Sequence, residues 1–168
     1  MMDLDLGRNA EYEHIPYNRF ALAYDDMMSH VDYRRWVTYV VDLFKLYGVE
    51  PRRVLDLACG TGSVAIPLAQ NGYEVVGIDR APGMLDIAGT KAERAHVDID
   101  WREGDMRDLG MARAFDAVIC LYDSVNYMLS AAELEMAFDS VAKALRPGGL
   151  FIFDVISERN ILRHFHGK

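Results

Sequence analysis

The chain is poor in cysteine: Cys59 and Cys120 are the only two in 168 residues. That is too few for the disulfide framework of a small secreted domain, and each closes an apolar run, where a reduced thiol is the expected state. No apolar stretch is long enough for a signal segment or a membrane span, so a cytoplasmic protein with no membrane partner is expected. Basic residues are also in short supply. Lys and Arg number 18 against 26 Asp and Glu, a formal net charge of −8. A chain that tracks phosphates usually carries a basic excess, so nucleic acid is not expected as the main partner. Local basic pairs remain at Arg34-Arg35 and Arg52-Arg53. His164 and His166 lack the partner residues of a metal cluster, and no metal site is expected. There is no internal repeat and no low-complexity segment.

What is present is an ordinary balance: 51% apolar and 26% charged residues. The length suits one domain with a real core. Residues 1–16 are polar and weakly patterned, as in a loose arm. From Tyr17 to Tyr47 apolar and aromatic residues recur at helical spacing (Phe20, Tyr24, Met27, Met28, then Trp36, Tyr39, Val40, Leu43, Phe44). Two helices with a break near 29–32 follow from this, a helical cover over 17–50. Gly48 and Pro51 stop the second.

Beyond Pro51 the pattern alternates. Strands are predicted at 53–57, 74–78, 99–102, 115–121 and 150–156, and helices at 63–70, 82–94 and 132–145. The last helix has Glu133 and Glu135 in its first turn and Lys143 and Arg146 at its end, as the helix dipole favours. Pro147-Gly148-Gly149 reads as the turn into the final strand. This alternation implies an α/β fold with a parallel sheet and helices on both faces, over 51–168. The runs Val54–Leu57, Val118–Leu121 and Leu150–Phe153 are continuously apolar, as strands buried on both faces are. The chemistry should therefore lie beyond the carboxyl ends of the strands.

Two features sit at those ends. The turn Ala58-Cys59-Gly60-Thr61-Gly62 follows the first strand, and Asp79 closes the second. Gly60 and Gly62 allow a ligand to approach the backbone, and the following helix offers unpaired N–H groups. A carboxylate at the second strand end can accept both hydroxyls of a ribose. Taken singly, the turn could be only a tight turn, and Asp79 only a helix cap. Together they fit a nucleoside. Dinucleotide turns place glycine at the first, third and sixth positions, and this turn does not, which disfavours a nicotinamide-dependent oxidoreductase.

The run Leu55-Asp56-Leu57-Ala58-Cys59-Gly60-Thr61-Gly62 resembles the first motif of the class I S-adenosylmethionine-dependent methyltransferases, with Ala58 where that family usually has its first glycine. Gly77-Ile78-Asp79 resembles the second motif, Pro82-Gly83-Met84-Leu85 the helix start behind it, and Gly104-Asp105-Met106 the third. Phe115–Cys120 and Leu145–Gly149 are similar to the fourth strand and the turn before the fifth. These segments agree in order and spacing. The resemblance implies a Rossmann-like sheet of order 3-2-1-4-5 that takes S-adenosyl-L-methionine. It implies Asp79 on the ribose, Met84 on the adenine face, Asp105 on the adenine amino group and the Met106 amide on a ring nitrogen. Asp56 would orient the turn, often through water. Ala58, Cys59, Gly60, Gly62, Arg80, Leu121, Tyr122 and Asn126 would complete the cofactor wall. Asp116 starts its strand at the far end and is expected to be structural.

Tyr17-Asn18-Arg19-Phe20-Ala21-Leu22-Ala23-Tyr24-Asp25 resembles the lead-in of small-molecule members, whose helix covers the cofactor. Tyr17 and Tyr24 lie two turns apart on one face, and either could reach the site or pack as aromatic core. After the fourth strand, Leu121-Tyr122-Asp123-Ser124-Val125-Asn126-Tyr127 would border the methionine part and the acceptor. Asp123 could meet an ammonium or merely begin a short helix. Tyr24, Asp123 and His14 are the candidate bases, Tyr24 and Asp123 the candidate catalytic residues. The expected reaction is methyl transfer to a small-molecule acceptor, and the alternative is a non-catalytic cofactor-binding or assembly subunit. The family's last two strands are expected to be absent, because the sequence ends soon after the fifth strand. An apolar fifth strand at the sheet edge then invites association with a second copy or another chain.

Overall fold

The computed structural model describes residues 21–157. The expectations for the 1–16 arm, Tyr17, His14, His164 and His166 lie outside the described residues. Five strands form one wholly parallel sheet: β1 (Arg53–Leu57), β2 (Glu74–Asp79), β3 (Asp100–Glu103), β4 (Phe115–Cys120) and β5 (Leu145–Phe153), in the order β3-β2-β1-β4-β5. The helices are α1 (Ala21–Met27), α2 (Tyr33–Leu46), α3 (Ala65–Gln70), α4 (Pro82–Ala95) and α5 (Ala131–Ala144), with a 3-10 turn at Ser124–Tyr127.

Successive strand residues point to opposite faces, and the core divides accordingly. Val54, Val75, Ala117 and Ile119 pack with α2, α3 and α4 through Val40, Phe44, Leu68 and Ala92. Leu55, Leu57, Val76, Val118 and Cys120 pack on the other face with α5 through Ala137, Val141 and Ala144. The apolar runs are thus strands buried on both sides, which is why they lack the alternation of a one-faced sheet.

Chain order reverses at β1, whose neighbours are β2 on one side and β4 on the other. Such a reversal opens a crevice beyond the carboxyl ends of the two diverging strands. Asp116 works at the other end. It accepts hydrogen bonds from the amides of Arg52 (3.0 Å) and Arg53 (2.8 Å) and from the Arg146 guanidinium, tying β4 to the start of β1.

The structure corrects three boundaries. α3 begins at Ala65 rather than residue 63, because Gly62 has φ +76 and Val64 takes the cap position. β3 lies one residue later than expected. The fifth strand begins at Leu145, directly from α5, rather than at residue 150. Phe115 pairs with Leu145 and Ala117 with Leu150, so Arg146–Gly149 form a bulge within the strand instead of a turn before it. Gly148 has φ +82 there, and a Cβ at Gly149 would come within 2.9 Å of the Asp116 carbonyl oxygen. The glycines serve the bulge geometry.

Candidate functional site

The loops after β1, β2 and β4, with α1 and α2 above them, enclose one cavity of about 1160 Å³ including its open mouth. The turn after β1 shapes its floor. Ala58 is held at φ +59 and Gly60 at φ +53, the left-handed region that disfavours side chains. That explains why glycine is the family's usual residue at the position of Ala58. Around Gly60 nothing stands within 4 Å of where a Cβ would be, so a ligand can reach its backbone.

Gly62 has a different purpose from the one expected. A Cβ there would lie 2.7 Å from the Trp101 ring, and one at Gly77 would lie 2.3 Å from the same ring. Both glycines admit the indole of β3 beneath the turn, and Gly62 does not line the cavity. Its absent side chain makes room for core, not for ligand.

Asp79 joins the turn to the second strand. One carboxylate oxygen accepts the Gly60 amide at 2.8 Å and the other the Ala81 amide at 2.9 Å. The capping and ligand readings are therefore compatible: the carboxylate is pinned by backbone donors, yet it faces the cavity with lone pairs to spare. Burial raises its pKa, against the lowering effect of these amides.

Asp56 is 3% exposed and lies deeper. It receives a backbone hydrogen bond from Ala65, while its Oδ2 is buried without a partner. Burial first, then the charge of Asp79, pushes its pKa up to about 7. A buried acceptor with no donor is costly, and the residue that carries this one borders the cavity. The same burial pushes the thiol of Cys59 well up and raises that of Cys120, and both cysteines are free. Cys59 lines the cavity as an inert wall.

Met84 and Met106 are buried and form the apolar wall beside Asp79, with Arg80 at the rim. Asp105 does not border the cavity. Arg107 takes it in a two-point pair, Nε to Oδ1 at 3.0 Å and Nη2 to Oδ2 at 2.6 Å, and the Arg80 guanidinium lies at 3.4 Å. The Arg107 hydrogen bonds hold its carboxyl below the usual range. Two arginines thus hold it outside the cavity wall, while its neighbours Gly104 and Met106 face in.

After β4, Leu121 and Tyr122 line the cavity as expected, and Asp123 and Asn126 do not. The Asn126 side chain bonds the backbone of Ile156 in both directions, at 3.0 and 3.1 Å, and so secures the segment after β5. The Asp123 amide donates to Asp154 at 3.0 Å. Its carboxyl is raised by burial and by Asp154. Tyr122 and Asp123 are both held at positive φ, 64 and 53. The short helix expected there exists as the 3-10 turn, with no side-chain cap from Asp123.

Tyr24 of α1 reaches the cavity, beside two residues that the sequence did not single out for the site, Tyr33 and Trp36. The Tyr122 ring lies 6.0 Å from each of these two. Burial, then the charges of Tyr122 and Asp25, push the Tyr33 phenol up to about 12, partly relieved by a hydrogen bond with Tyr24. Trp36 sits at a core-like position on α2, and helical spacing cannot tell a core face from a cavity wall. Ser124 and Tyr127 belong to the loop expected at the site, whereas Met128, just past the 3-10 turn, was missed because that segment has no periodic signature.

The methyltransferase-domain family model matches residues 54–149. The chain is 39% identical over 150 residues to the "Putative methyltransferase YqeM" of Bacillus subtilis (strain 168), covering 89% of this chain and 59% of that one. Among solved structures, an S-adenosylmethionine-dependent methyltransferase from Clostridium acetobutylicum ATCC 824 superposes with a TM-score of 0.77 at 30% identity, covering 88% of this chain and 60% of that one. The S-adenosylmethionine-bound amino pentose methyltransferase CalS10 of Micromonospora echinaspora gives a TM-score of 0.68 at 29% identity, over 83% and 56%. The chain spans about three fifths of the length of the first of these relatives. Matched from the first strand to the bulge of the fifth, and built on the same sheet, the chain belongs to the class I S-adenosylmethionine-dependent methyltransferase family.

Proposed function

We propose that this chain binds S-adenosyl-L-methionine in the β1–β2 crevice and directs its methyl group to a small-molecule acceptor held under α1 and α2. The observation that carries the reading is the pairing of a pinned carboxylate, Asp79, with an open glycine turn and the orphaned buried Oδ2 of Asp56, all on one cavity. The residues fit the group. Asp79 has lone pairs for a ribose diol. Met84 and Met106 offer a flat apolar slot for a base. Asp56 offers an acceptor to a cation or a bridging water deep in the site. The Asp105 carboxylate is spoken for by Arg107 and Arg80, so base recognition here rests on the backbone near Gly104 and Met106.

When bound, the cofactor supplies a methyl group on a sulfonium, which leaves as a neutral thioether and needs no acid. The protein's task is alignment and exclusion of water. Tyr24, Tyr33, Trp36 and Tyr122 form an aromatic wall at the mouth, suited to a compact acceptor and to stabilising positive charge. The raised Tyr33 phenol is a poor base at neutral pH, and Asp123 is not among the residues that line the cavity. The carboxylates that line the cavity, Asp56 and Asp79, are assigned in this reading to the cofactor, which favours an acceptor that arrives already nucleophilic.

Calorimetry with S-adenosylhomocysteine and with NAD tests this reading. S-adenosylhomocysteine should bind and NAD should not. Asp79→Ala should weaken S-adenosylhomocysteine at least tenfold, the loss of about 1.5–3 kcal/mol expected of hydrogen bonds to a charged group. Undiminished affinity in that variant would sink the ribose role. Turnover against a panel of amine, hydroxyl and thiol acceptors then separates a methyltransferase from a binding subunit.

A further inference from the structure

Among the described residues, the helix that covers the cavity makes few apolar contacts. The described part of α1 is Ala21–Met27. Of these, Ala21 alone is buried, packing on Ala81 and Met84. Leu22 is 87% exposed and Met27 63% exposed. Tyr24, partly buried, packs against the same small cluster.

A polar cluster on the same helix makes the second attachment. The Asp25 carboxylate accepts from the Thr61 hydroxyl at 2.5 Å through one oxygen and from the Lys91 ammonium at 2.7 Å through the other. Lys91 also donates to Thr61 Oγ1 at 3.2 Å and to Ser63 Oγ at 3.0 Å, which uses all three of its protons. Thr61 is 1% exposed and belongs to the glycine turn. Three parts of the fold therefore meet at one carboxylate: the cover helix, the turn, and α4.

Both ends of this cluster lead into the cavity. Tyr24, adjacent to Asp25, lines it, and so do Gly60, Thr61 and Ser63. Gly60, adjacent to Thr61, donates its amide to Asp79. A shift of Asp25 moves the aromatic lid, and a shift of Thr61 moves the donor that pins the ribose-end carboxylate. We propose that Asp25, Lys91, Thr61 and Ser63 form a latch that locks α1 onto the glycine turn. In it Asp25 and Lys91 are positioning residues: they act on the cofactor site through Tyr24 and Gly60, and closure of the lid is coupled to the shape of the cradle. The coupling to cofactor rests on the function proposed above; the latch itself does not.

The test uses Asp25→Asn, Lys91→Met, the double variant and Lys91→Arg, each with its thermal midpoint recorded. Amide hydrogen exchange is read over residues 21–27 in the free protein, and S-adenosylhomocysteine affinity by calorimetry. In the free protein, exchange over 21–27 should quicken at least tenfold in either single variant, with exchange in β1 and β4 unchanged. The dissociation constant should rise about tenfold in each single variant and no further in the double, because both break one unit. Lys91→Arg should recover most of the affinity, which a residue that only fills space would not show. The proposal is overturned by exchange over 21–27 that is the same in all variants or already at the unstructured rate in the parent protein. Single-variant losses in affinity that add in the double, or that stay within twofold, overturn it too. A parent protein that binds no S-adenosylhomocysteine defeats the cofactor reading instead, and the exchange measurement still decides the latch.

Discussion

Asp56 shows how one residue can be a liability in folding and an asset in binding. It is buried, lacks a partner for Oδ2, and has Asp79 as a charged neighbour and Cys59 and Cys120 as thiol neighbours. Its pKa rises from 3.8 to about 7 in the folded protein. Between those values the native state holds a proton that the unfolded chain has released, so this residue's contribution to stability falls as pH rises through the window and is level above it. Replacing Asp56 by Asn should therefore stabilise the free protein more at pH 8 than at pH 4.5, by on the order of 2–4 kcal/mol of difference. Thermal or urea unfolding of both proteins across this range checks it, and a pH-independent difference would refute the assignment. A cation or water donor delivered to Oδ2 relieves the same penalty, which is a reason for a binding site to keep it.

At the scale of elements, the glycine turn and β3 are fitted to each other. Trp101 lies beneath Gly62 and Gly77, and a Cβ at Gly77 would sit 2.3 and 2.4 Å from two of its ring atoms. Gly77→Ala should cost about 1–3 kcal/mol through overpacking. Trp101→Leu, which removes the obstruction, should make the added methyl far less costly in the double variant. Chemical denaturation of the two single variants and the double reads this coupling directly, and additive losses would mean that the ring moves aside freely. Much of this level was legible beforehand. The strands announced themselves by apolar runs, α4 by its proline start, and the site by an acid and a glycine turn at adjacent strand ends. Gly62 was misread because a glycine's sequence does not say whether its missing side chain makes room for a ligand or for a neighbouring ring. The start of β5 was misread because Pro147-Gly148-Gly149 has the composition of a turn, and a bulge uses the same residues for the same backbone angles. Asp105 was placed on a ligand because the arginines that claim it, Arg80 and Arg107, carry no motif of their own.

For the whole molecule, the two sheet edges contrast. The β3 edge carries Asp100, Arg102 and Glu103, with Asp100 and Arg102 paired at 2.6 Å, a charged border that discourages further pairing. The β5 edge carries Leu150, Phe151, Ile152 and Phe153, and Phe153 is 42% exposed with Phe138 and Phe151 beside it. Among the described residues no strand pairs with its outer side. This chain should therefore associate through β5, and Phe153→Lys should weaken the association. Sedimentation velocity over a hundredfold range of concentration tests it, with a monomer throughout as the contrary result. No helix among the described residues is long and apolar enough to cross a membrane.

The sequence by itself determined the sheet, its parallel sense, and the crevice at which a nucleoside would sit, because these follow from local patterns: apolar runs, caps, and the spacing of glycine and acid along adjacent elements. Only the tertiary structure decided which side chains share the cavity. Tyr33 and Trp36 come to the site from a helix that reads as core, Asp105 and Asn126 are held away by arginine and backbone partners, and Asp25 meets Thr61 and Lys91 from three separate elements. Hydrogen bonds and ring contacts between residues far apart in the chain leave no trace in any one segment, so their outcome is settled only when the elements pack.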